Sequence, residues 1–206
     1  MLIFSPQSLA FLAVPKTGTT AIEMALKPKA DIIFTKRRKH ATAQRFHNQI
    51  APFLAAAYDL RPDRIAVMRE PEEQIRSWYR YRTHAETRGS IRSTEGRSFD
   101  EFVLGVISDN PPPFAGIGSQ FAFLTSSAGE VLVHRIFAYE RQPEIRGFLE
   151  DRFGEPLTIK QKNVSPPTPA PLDPSTRKLL RQKRAAEFAL YDRIMQADGQ
   201  LLTSLG

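Results

Sequence analysis

The stretch Leu9–Thr20, LAFLAVPKTGTT, decides the fold. Its six apolar residues, Leu9–Val14, predict a buried strand, and the Pro-Lys-Thr-Gly that follows predicts the turn that ends it. A helix is expected from about Thr19 to Leu26, because Thr20 and Glu23 have the spacing of a capping box ahead of an apolar stripe. A buried strand, a glycine-containing turn and a helix in this order indicate an α/β unit.

The rest of the chain continues this alternation of short apolar runs and longer amphipathic stretches. Further strands are predicted at Ile32–Phe34, Arg64–Met68 and Val131–Tyr139. Helices are predicted at about residues 71–86, 98–107, 116–127, 143–153 and 174–195, and the proline-rich residues 165–174 are expected to be extended. The pattern predicts one α/β domain over residues 1–206, with a central, mainly parallel sheet flanked by helices in three layers.

Composition restricts the classes of function. The chain has 206 residues, no cysteine, and no apolar run near the roughly 20 residues that span a bilayer. Without a signal-peptide pattern or a disulfide framework, a cytoplasmic protein is expected. The net charge of +7 favours anionic partners, and Lys36–Lys39 is the densest basic run. No nucleic-acid-binding motif accompanies that run, so dedicated nucleic-acid binding is not expected.

The turn itself is a candidate phosphate-binding loop. Backbone N–H groups and the dipole of the following helix favour an anion there. Lys16 adds a positive charge, and the threonine hydroxyls add hydrogen-bond donors. An ATP-binding loop of the form GxxxxGK[ST] is disfavoured, because Ala10 and Pro15 stand where its two glycines belong.

Met68–Ser77, MREPEEQIRS, supplies a candidate for a second anion site. Arg69 should lie at the end of a strand and Ser77 about two turns into the next helix, at the sheet edge where the first loop lies. An arginine can bind phosphate through two parallel hydrogen bonds, and serine adds a neutral donor. Glu72 and Arg76 also fit an ordinary amphipathic helix with surface ion pairs, so this site depends on its pairing with the first loop.

Together the two motifs resemble those of sulfotransferases that depend on 3′-phosphoadenosine 5′-phosphosulfate (PAPS), and the carbohydrate-directed, membrane-type branch in particular. The 5′-phosphosulfate loop of that family is usually PKTGTT or PKSGTT, and Pro15–Thr20 reads PKTGTT. The family's 3′-phosphate motif has an arginine, a proline two residues later and a serine eight residues later, as do Arg69, Pro71 and Ser77. The resemblance implies a P-loop-like α/β fold and metal-independent transfer of a sulfuryl group from PAPS to a hydroxyl or amine.

The resemblance also implies roles for individual residues. Lys16 would contact the bridging oxygen of the phosphosulfate and stabilise charge on the leaving phosphate. The cofactor-binding residues implied are Pro15, Lys16, Thr17, Gly18, Thr19, Thr20, Arg69, Ser77 and Lys162. The chain departs from the family at Gln74, where an arginine is common, and it lacks the late Arg-Lys-Gly motif of cytosolic members.

Transfer to a hydroxyl requires a group that removes the acceptor's proton, and histidine has a suitable pKa. His40 lies between the two motifs, where many relatives have a similar histidine, and it is the preferred catalytic base. Glu23 is the alternative, because some relatives use a glutamate on the helix after the first loop. His84 is expected to face solvent and His134 to be structural.

Two other functions stay open: a nucleotide kinase or NTPase with a degenerate loop, and a non-catalytic polyanion-binding protein that uses the basic run. The acceptor is expected to be a small molecule or a glycan that is acidic or rich in hydroxyls. Residues 84–97 suit either an acceptor-side lid or a loop without fixed structure, and the sequence does not define the oligomeric state.

Overall fold

A computed structural model describes residues 1–83, 89–159 and 169–205 of the chain. The strands are β1 Leu2–Phe4, β2 Leu9–Leu12, β3 Ile32–Ile33, β4 Asp63–Met68, β5 Arg135–Ala138 and β6 Gln200–Leu202. The helices are α1 Thr19–Leu26, α2 Ala43–Arg45, α3 Ala51–Tyr58, α4 Pro71–Arg82, α5 Phe99–Val106, α6 Gln120–Leu124, α7 Gln142–Phe153, α8 Pro174–Lys183 and α9 Ala185–Gln196. A π-helical turn, Phe46–Ile50, joins α2 to α3.

The strands form one mixed sheet in the order β3-β1-β2-β4-β5-β6. Strands β2, β4 and β5 are parallel, whereas β1 pairs antiparallel with β2 and β3, and β6 pairs antiparallel with β5. The prediction of a mainly parallel sheet is therefore wrong for the described residues. Only residues 5–8 connect β1 to β2, and a parallel crossover needs about a dozen residues, so these two strands have to form a hairpin.

Apolar residues cover both faces of the sheet. Along β2, Leu9 and Phe11 belong to one apolar cluster, and Ala10 and Leu12 belong to another, as the two-residue period of a strand requires. Helices α1 and α7 pack on the first cluster, and α3, α6 and α9 pack on the second. The helices therefore flank the sheet on both sides, as predicted. A third cluster joins α4, α5, α8 and α9.

Most predicted elements are present, with local differences at their ends. Helix α1 has the predicted bounds, but its predicted capping box is wrong: Gly18 is the N-cap residue, and no side chain caps this end. The capping box of Ser98 and Glu101 is confirmed. The predicted helix at residues 174–195 is two helices that meet at Arg184. No helix in the described ranges is both long enough and apolar enough to span a bilayer.

The third cluster should contribute to the cooperative unfolding of the whole chain. Phe102 on α5 is fully buried, so Phe102→Ala should lower the free energy of unfolding by about 3–5 kcal/mol. Leu104, two residues away on the same helix, is 45% exposed, and Leu104→Ala should change the free energy of unfolding by less than about 1 kcal/mol. Urea unfolding of both variants measures the difference, and equal small effects would show that the cluster is not part of the folded unit.

Candidate anion-binding site

Strand β2 ends in a loop that exposes several backbone donors. Lys16 and Gly18 both have left-handed backbone conformations, with φ of 66° and 71°. Within the described ranges, no residue accepts a hydrogen bond from the backbone N–H groups of residues 16–20. Successive free N–H groups in such a turn form a concave anion site, and the N-terminus of α1 adds its dipole. Holding a lysine in this conformation costs on the order of 1–3 kcal/mol, a strain that is typical of functional loops.

The predicted loop residues divide between ligand-facing and structural roles. Thr17 is buried, and its hydroxyl donates to the carbonyl oxygen of Val14 over 3.0 Å, so this hydroxyl closes the turn and only the Thr17 N–H remains for a ligand. Thr19 and Thr20 begin α1 and keep their backbone N–H groups free of described partners. Ala10 lies inside β2, opposite Arg64 of β4, so it cannot belong to an ATP-type phosphate loop.

Tyr139 connects the loop to the neighbouring strands. It follows β5, and its N–H donates to the carbonyl oxygen of Met68 at the end of β4. Gly18 packs on its ring so closely that a Cβ atom there would lie 2.7 Å from Cε2 of Tyr139. The guanidinium carbon of Arg69 lies 4.7 Å from the centre of the same ring, a cation–π contact. Tyr139 therefore packs against both predicted phosphate motifs.

One face of α4 holds the loop from the other side. Gln74 donates from Nε2 to the carbonyl oxygen of Pro15 over 3.1 Å. The Nζ atom of Lys16 lies 4.3 Å from the ring centre of Tyr81 and 5.8 Å from that of Trp78. Residues 74, 78 and 81 are spaced as i, i+4 and i+7, which places them on one helical face. Gln74 therefore fixes the loop through a hydrogen bond.

Arg69 is held by its backbone rather than by its side chain. The amide of Gln120 accepts from Arg69 N and donates to Arg69 O, each over 2.9 Å. The N–H of Gln120 donates to Oε1 of Glu187 over 2.8 Å, and Glu187 pairs with Arg184 at 3.2 Å. Burial raises the pKa of Glu187, although Arg184 opposes the shift. This buried chain of contacts anchors Arg69 to α6 and α9.

The guanidinium of Arg69 keeps unused hydrogen-bonding capacity. Its Nε is buried and has no partner among the described residues, and its nearest carboxylate, Glu73, lies 3.6 Å away. Ser77 is partly buried and lies one turn beyond Glu73, on the same side of α4. This spacing is compatible with Arg69 and Ser77 facing one ligand group, which stays a prediction. A buried donor without a partner is unusual and is a candidate contact for a bound anion.

The two predicted cations are close enough to repel each other. Burial and, to a smaller extent, the positive charge of Arg69 together lower the pKa of Lys16 to about 8. Among the described residues no carboxylate contributes to this shift. Two partly buried cations at the carboxyl ends of parallel strands, with Glu73 3.6 Å from Arg69 as the described carboxylate nearby, form a site that suits an anion.

His40 has the geometry of a neutral base. Its Nδ1 lies 2.6 Å from the carbonyl oxygen of Ala13, so Nδ1 carries the proton and Nε2 keeps its lone pair. Partial loss of hydration lowers the pKa of His40 although the residue is exposed, and Lys39 adds to this effect while the hydrogen bond to Ala13 opposes it; the lowered pKa favours the neutral ring at pH 7. Ala13 lies three residues before Lys16, so the hydrogen bond holds His40 beside the loop.

Glu23 has a different environment. Its Oε1 accepts from the amino group of Met1 over 2.9 Å, and its Oε2 lies 2.5 Å from Nζ of Lys39. Both carboxylate oxygens are thus engaged with cations, and the pair with Lys39 anchors the segment before His40 to α1. Glu23 would have to give up these contacts to act as a base, so the geometry favours His40.

Other predicted residues lie elsewhere. Lys162 and His84 fall outside the described residues, as do residues 84–88 of the predicted lid. His134 is structural, as predicted, since its Nδ1 accepts from the N–H of Arg64 over 2.8 Å. Sequence analysis missed Gln74, Gln120, Tyr81 and Tyr139 as parts of the site. Helical spacing could have placed Gln74 and Tyr81 beside Ser77, but no local pattern connects Gln120 with Arg69.

The contact between Gly18 and Tyr139 can be tested against a matched glycine. Gly154 has nearly the same left-handed conformation, with φ of 69°, but no atom lies within 4 Å of a Cβ placed there. Gly154→Ala should therefore cost only about 1 kcal/mol of backbone strain. Gly18→Ala should cost an additional 1–3 kcal/mol or so, because Tyr139 has to move. Urea unfolding provides both values, and equal losses would contradict the packing of the loop on Tyr139.

Comparisons of the chain with protein-family models, with curated proteins and with solved structures found no match. The resemblance to PAPS-dependent sulfotransferases therefore rests on the two sequence motifs and stays a prediction. The geometry of Lys16, Arg69 and the free backbone donors supports an anion-binding site in its own right. A function for the chain has to be inferred from that geometry.

Proposed function

We propose that this chain is a PAPS-dependent sulfotransferase, which transfers a sulfuryl group from PAPS to a hydroxyl or amine of an acceptor. The observation that carries the proposal is the placement of Lys16 and Arg69 beside each other, next to free N–H groups of the loop. PAPS has two separate anionic groups, a 5′-phosphosulfate and a 3′-phosphate, and the site has two separate sets of donors.

The residues present fit both groups. The N–H groups of residues 16–20 and the α1 dipole suit the 5′-phosphosulfate, which is a compact anion. The unpartnered Nε of Arg69, with Ser77 on the facing side of α4, suits the 3′-phosphate. A nucleotide that is phosphorylated only at its 5′ position, such as AMP or ATP, would leave the Arg69 side unfilled. The site therefore favours a 3′-phosphorylated nucleotide over ATP or AMP.

The same residues have the chemistry that the transfer requires. PAPS supplies the activated sulfuryl group, and Lys16 can stabilise the negative charge that develops on the departing phosphate. With a pKa of about 8, Lys16 is mainly protonated at pH 7, as this role requires. His40 can accept the proton of the acceptor at Nε2 while Ala13 holds the ring in the correct tautomer.

We predict that the protein binds 3′-phosphoadenosine 5′-phosphate (PAP), the desulfonated product, more tightly than ATP or AMP when no metal is added. Lys16→Ala and Arg69→Ala should each weaken PAP binding by about 1.5–3 kcal/mol, or roughly 10- to 150-fold, because each removes a charge-assisted contact with phosphate. Isothermal titration calorimetry measures all of these affinities.

Arg61→Ala is the matched control, because Arg61 is a highly exposed arginine whose nearest acidic partner, Asp59, is 3.9 Å away. It removes the same charge from the protein, and it should leave PAP affinity within about twofold at moderate salt concentration, where exposed charges are screened. Equal binding of ATP and PAP, or an unchanged PAP affinity in both site variants, would refute the proposed function.

A further inference from the structure

A cleft of about 250 Å³ opens beside the loop, on the side of Val14 and Pro15. Its opposite wall is formed by α6 and the residues just before it, including Ile117 and Phe123, and Gln74 of α4 lines it as well. Sites for drug-sized ligands enclose roughly 300–1,000 Å³, so this cleft suits a smaller molecule. Pro15 belongs to the loop, and Gln74 and Gln120 support the loop and Arg69, whereas the other lining residues have no part in the proposed PAPS site.

The walls of the cleft are mainly apolar. Val14, Pro15, Ile117, Ala122 and Phe123 contribute hydrocarbon surface, and no charged side chain lines the cleft within the part of the chain that is described. An acidic group placed here would lose its hydration without gaining a counter-charge, which is costly. The cleft therefore disfavours the acidic type of acceptor that the net charge of the whole chain suggests.

The polar groups of the cleft are few and are mostly engaged. The amide of Gln120 is used on the backbone of Arg69, and Nε2 of Gln74 is used on Pro15. The hydroxyl oxygens of Thr42 and Ser119 accept from backbone N–H groups at the starts of α2 and α6. Among the described residues, three hydrogen-bonding groups stay available to a ligand: the hydroxyl protons of Thr42 and Ser119, and the Oε1 atom of Gln74. These groups can orient one or two polar groups of a ligand, but they cannot form hydrogen bonds with all the hydroxyls of a sugar.

The cleft also adjoins the loop and the segment that follows His40. Pro15 directly precedes Lys16, and Thr42 lies two residues after His40. His40 is bound to the carbonyl oxygen of Ala13, next to Val14 in the wall of the cleft. A molecule held in the cleft would therefore lie against Pro15 of the loop and against Thr42 of the segment that follows His40.

Building on the proposed function, we infer that this cleft binds the acceptor, and that the acceptor is a small, uncharged molecule with an apolar body and one reactive hydroxyl, either an alcohol or a phenol. Nε2 of His40 takes the hydroxyl proton as the acceptor oxygen forms a bond to sulfur. The bond between sulfur and the bridging phosphate oxygen breaks, and its electron pair leaves with PAP. The products are a sulfate ester, PAP and a protonated His40.

The experiment titrates the complex of the protein with PAP, by calorimetry, with three probes: 2-naphthol, glucose and glucuronate. 2-Naphthol is expected to bind at least tenfold more tightly than either sugar. Ala122→Trp should fill the cleft and weaken 2-naphthol binding at least tenfold, with PAP affinity within about twofold of the wild type. Ala56→Trp places the same side chain on an exposed position of α3 and should change neither affinity. Ile117→Trp serves as a second blocking variant.

The outcomes separate the inference from the function on which it rests. Loss of 2-naphthol binding in a blocking variant that still binds PAP supports the inference, and the retained PAP affinity shows that the variant is folded. If PAP binds to the wild-type protein, three results overturn the inference alone: no binding of 2-naphthol, binding that neither blocking variant weakens, or tighter binding of a sugar. If PAP does not bind to the wild-type protein, the proposed function fails, and the assignment of the acceptor fails with it.

Discussion

The repulsion between Lys16 and Arg69 is the constraint that the rest of the site has to satisfy. Burial and this repulsion lower the pKa of Lys16 from 10.5 to about 8, so the folded chain binds fewer protons than the unfolded chain between these values. The contribution of Lys16 to the free energy of unfolding is therefore most favourable above about pH 10.5, where the amine is neutral in both states. This contribution is lost as the pH falls through about 8, where the buried amine becomes protonated. At neutral pH the protein keeps two partly buried cations together, and they are compensated only in part: the ring of Tyr81 contacts Lys16, and Arg69 has the ring of Tyr139 and, at 3.6 Å, the carboxylate of Glu73. A bound anion would remove this cost.

The surrounding fold prevents the two cations from moving apart. Strands β2 and β4 are adjacent and parallel, so the residues that follow them meet at one edge of the sheet. Side-chain amides then fix the backbone on both sides, with Gln74 bound to Pro15 and Gln120 bound to both backbone groups of Arg69. Electrostatic catalysis depends on such preorganisation, because donors already in place need no reorganisation during the reaction.

Local patterns predicted the parts of the structure that local forces determine. The buried run at residues 9–14 and the turn at Lys16–Gly18 predicted the strand, the loop and the start of α1, since apolar periodicity and glycine act within a few residues. Strand β1 was missed and the sheet was predicted to be mainly parallel, because hairpin pairing at the start of the chain has no helix to mark it. The prediction of a Thr20–Glu23 capping box was wrong because Glu23 forms contacts with Met1 and Lys39, which are distant in sequence. The support of Arg69 by Gln120 spans 51 residues, and no spacing rule could have revealed it.

The pKa of Lys16 is the most direct measure of this arrangement. It can be measured by an NMR pH titration of the protein labelled with isotopes at its lysines, and the Lys16 signal is assigned by its loss in Lys16→Arg. In the free protein the pKa should be about 8. Arg69→Gln should raise the pKa of Lys16 above its value in the free wild-type protein, because a repelling charge is removed. PAP should also raise the pKa of Lys16 in the wild-type protein, because the bound phosphates stabilise the protonated amine. A value near the ordinary 10.5 in the free protein, or a lowered value that PAP leaves unchanged, would contradict the existence of a paired-cation site for PAPS.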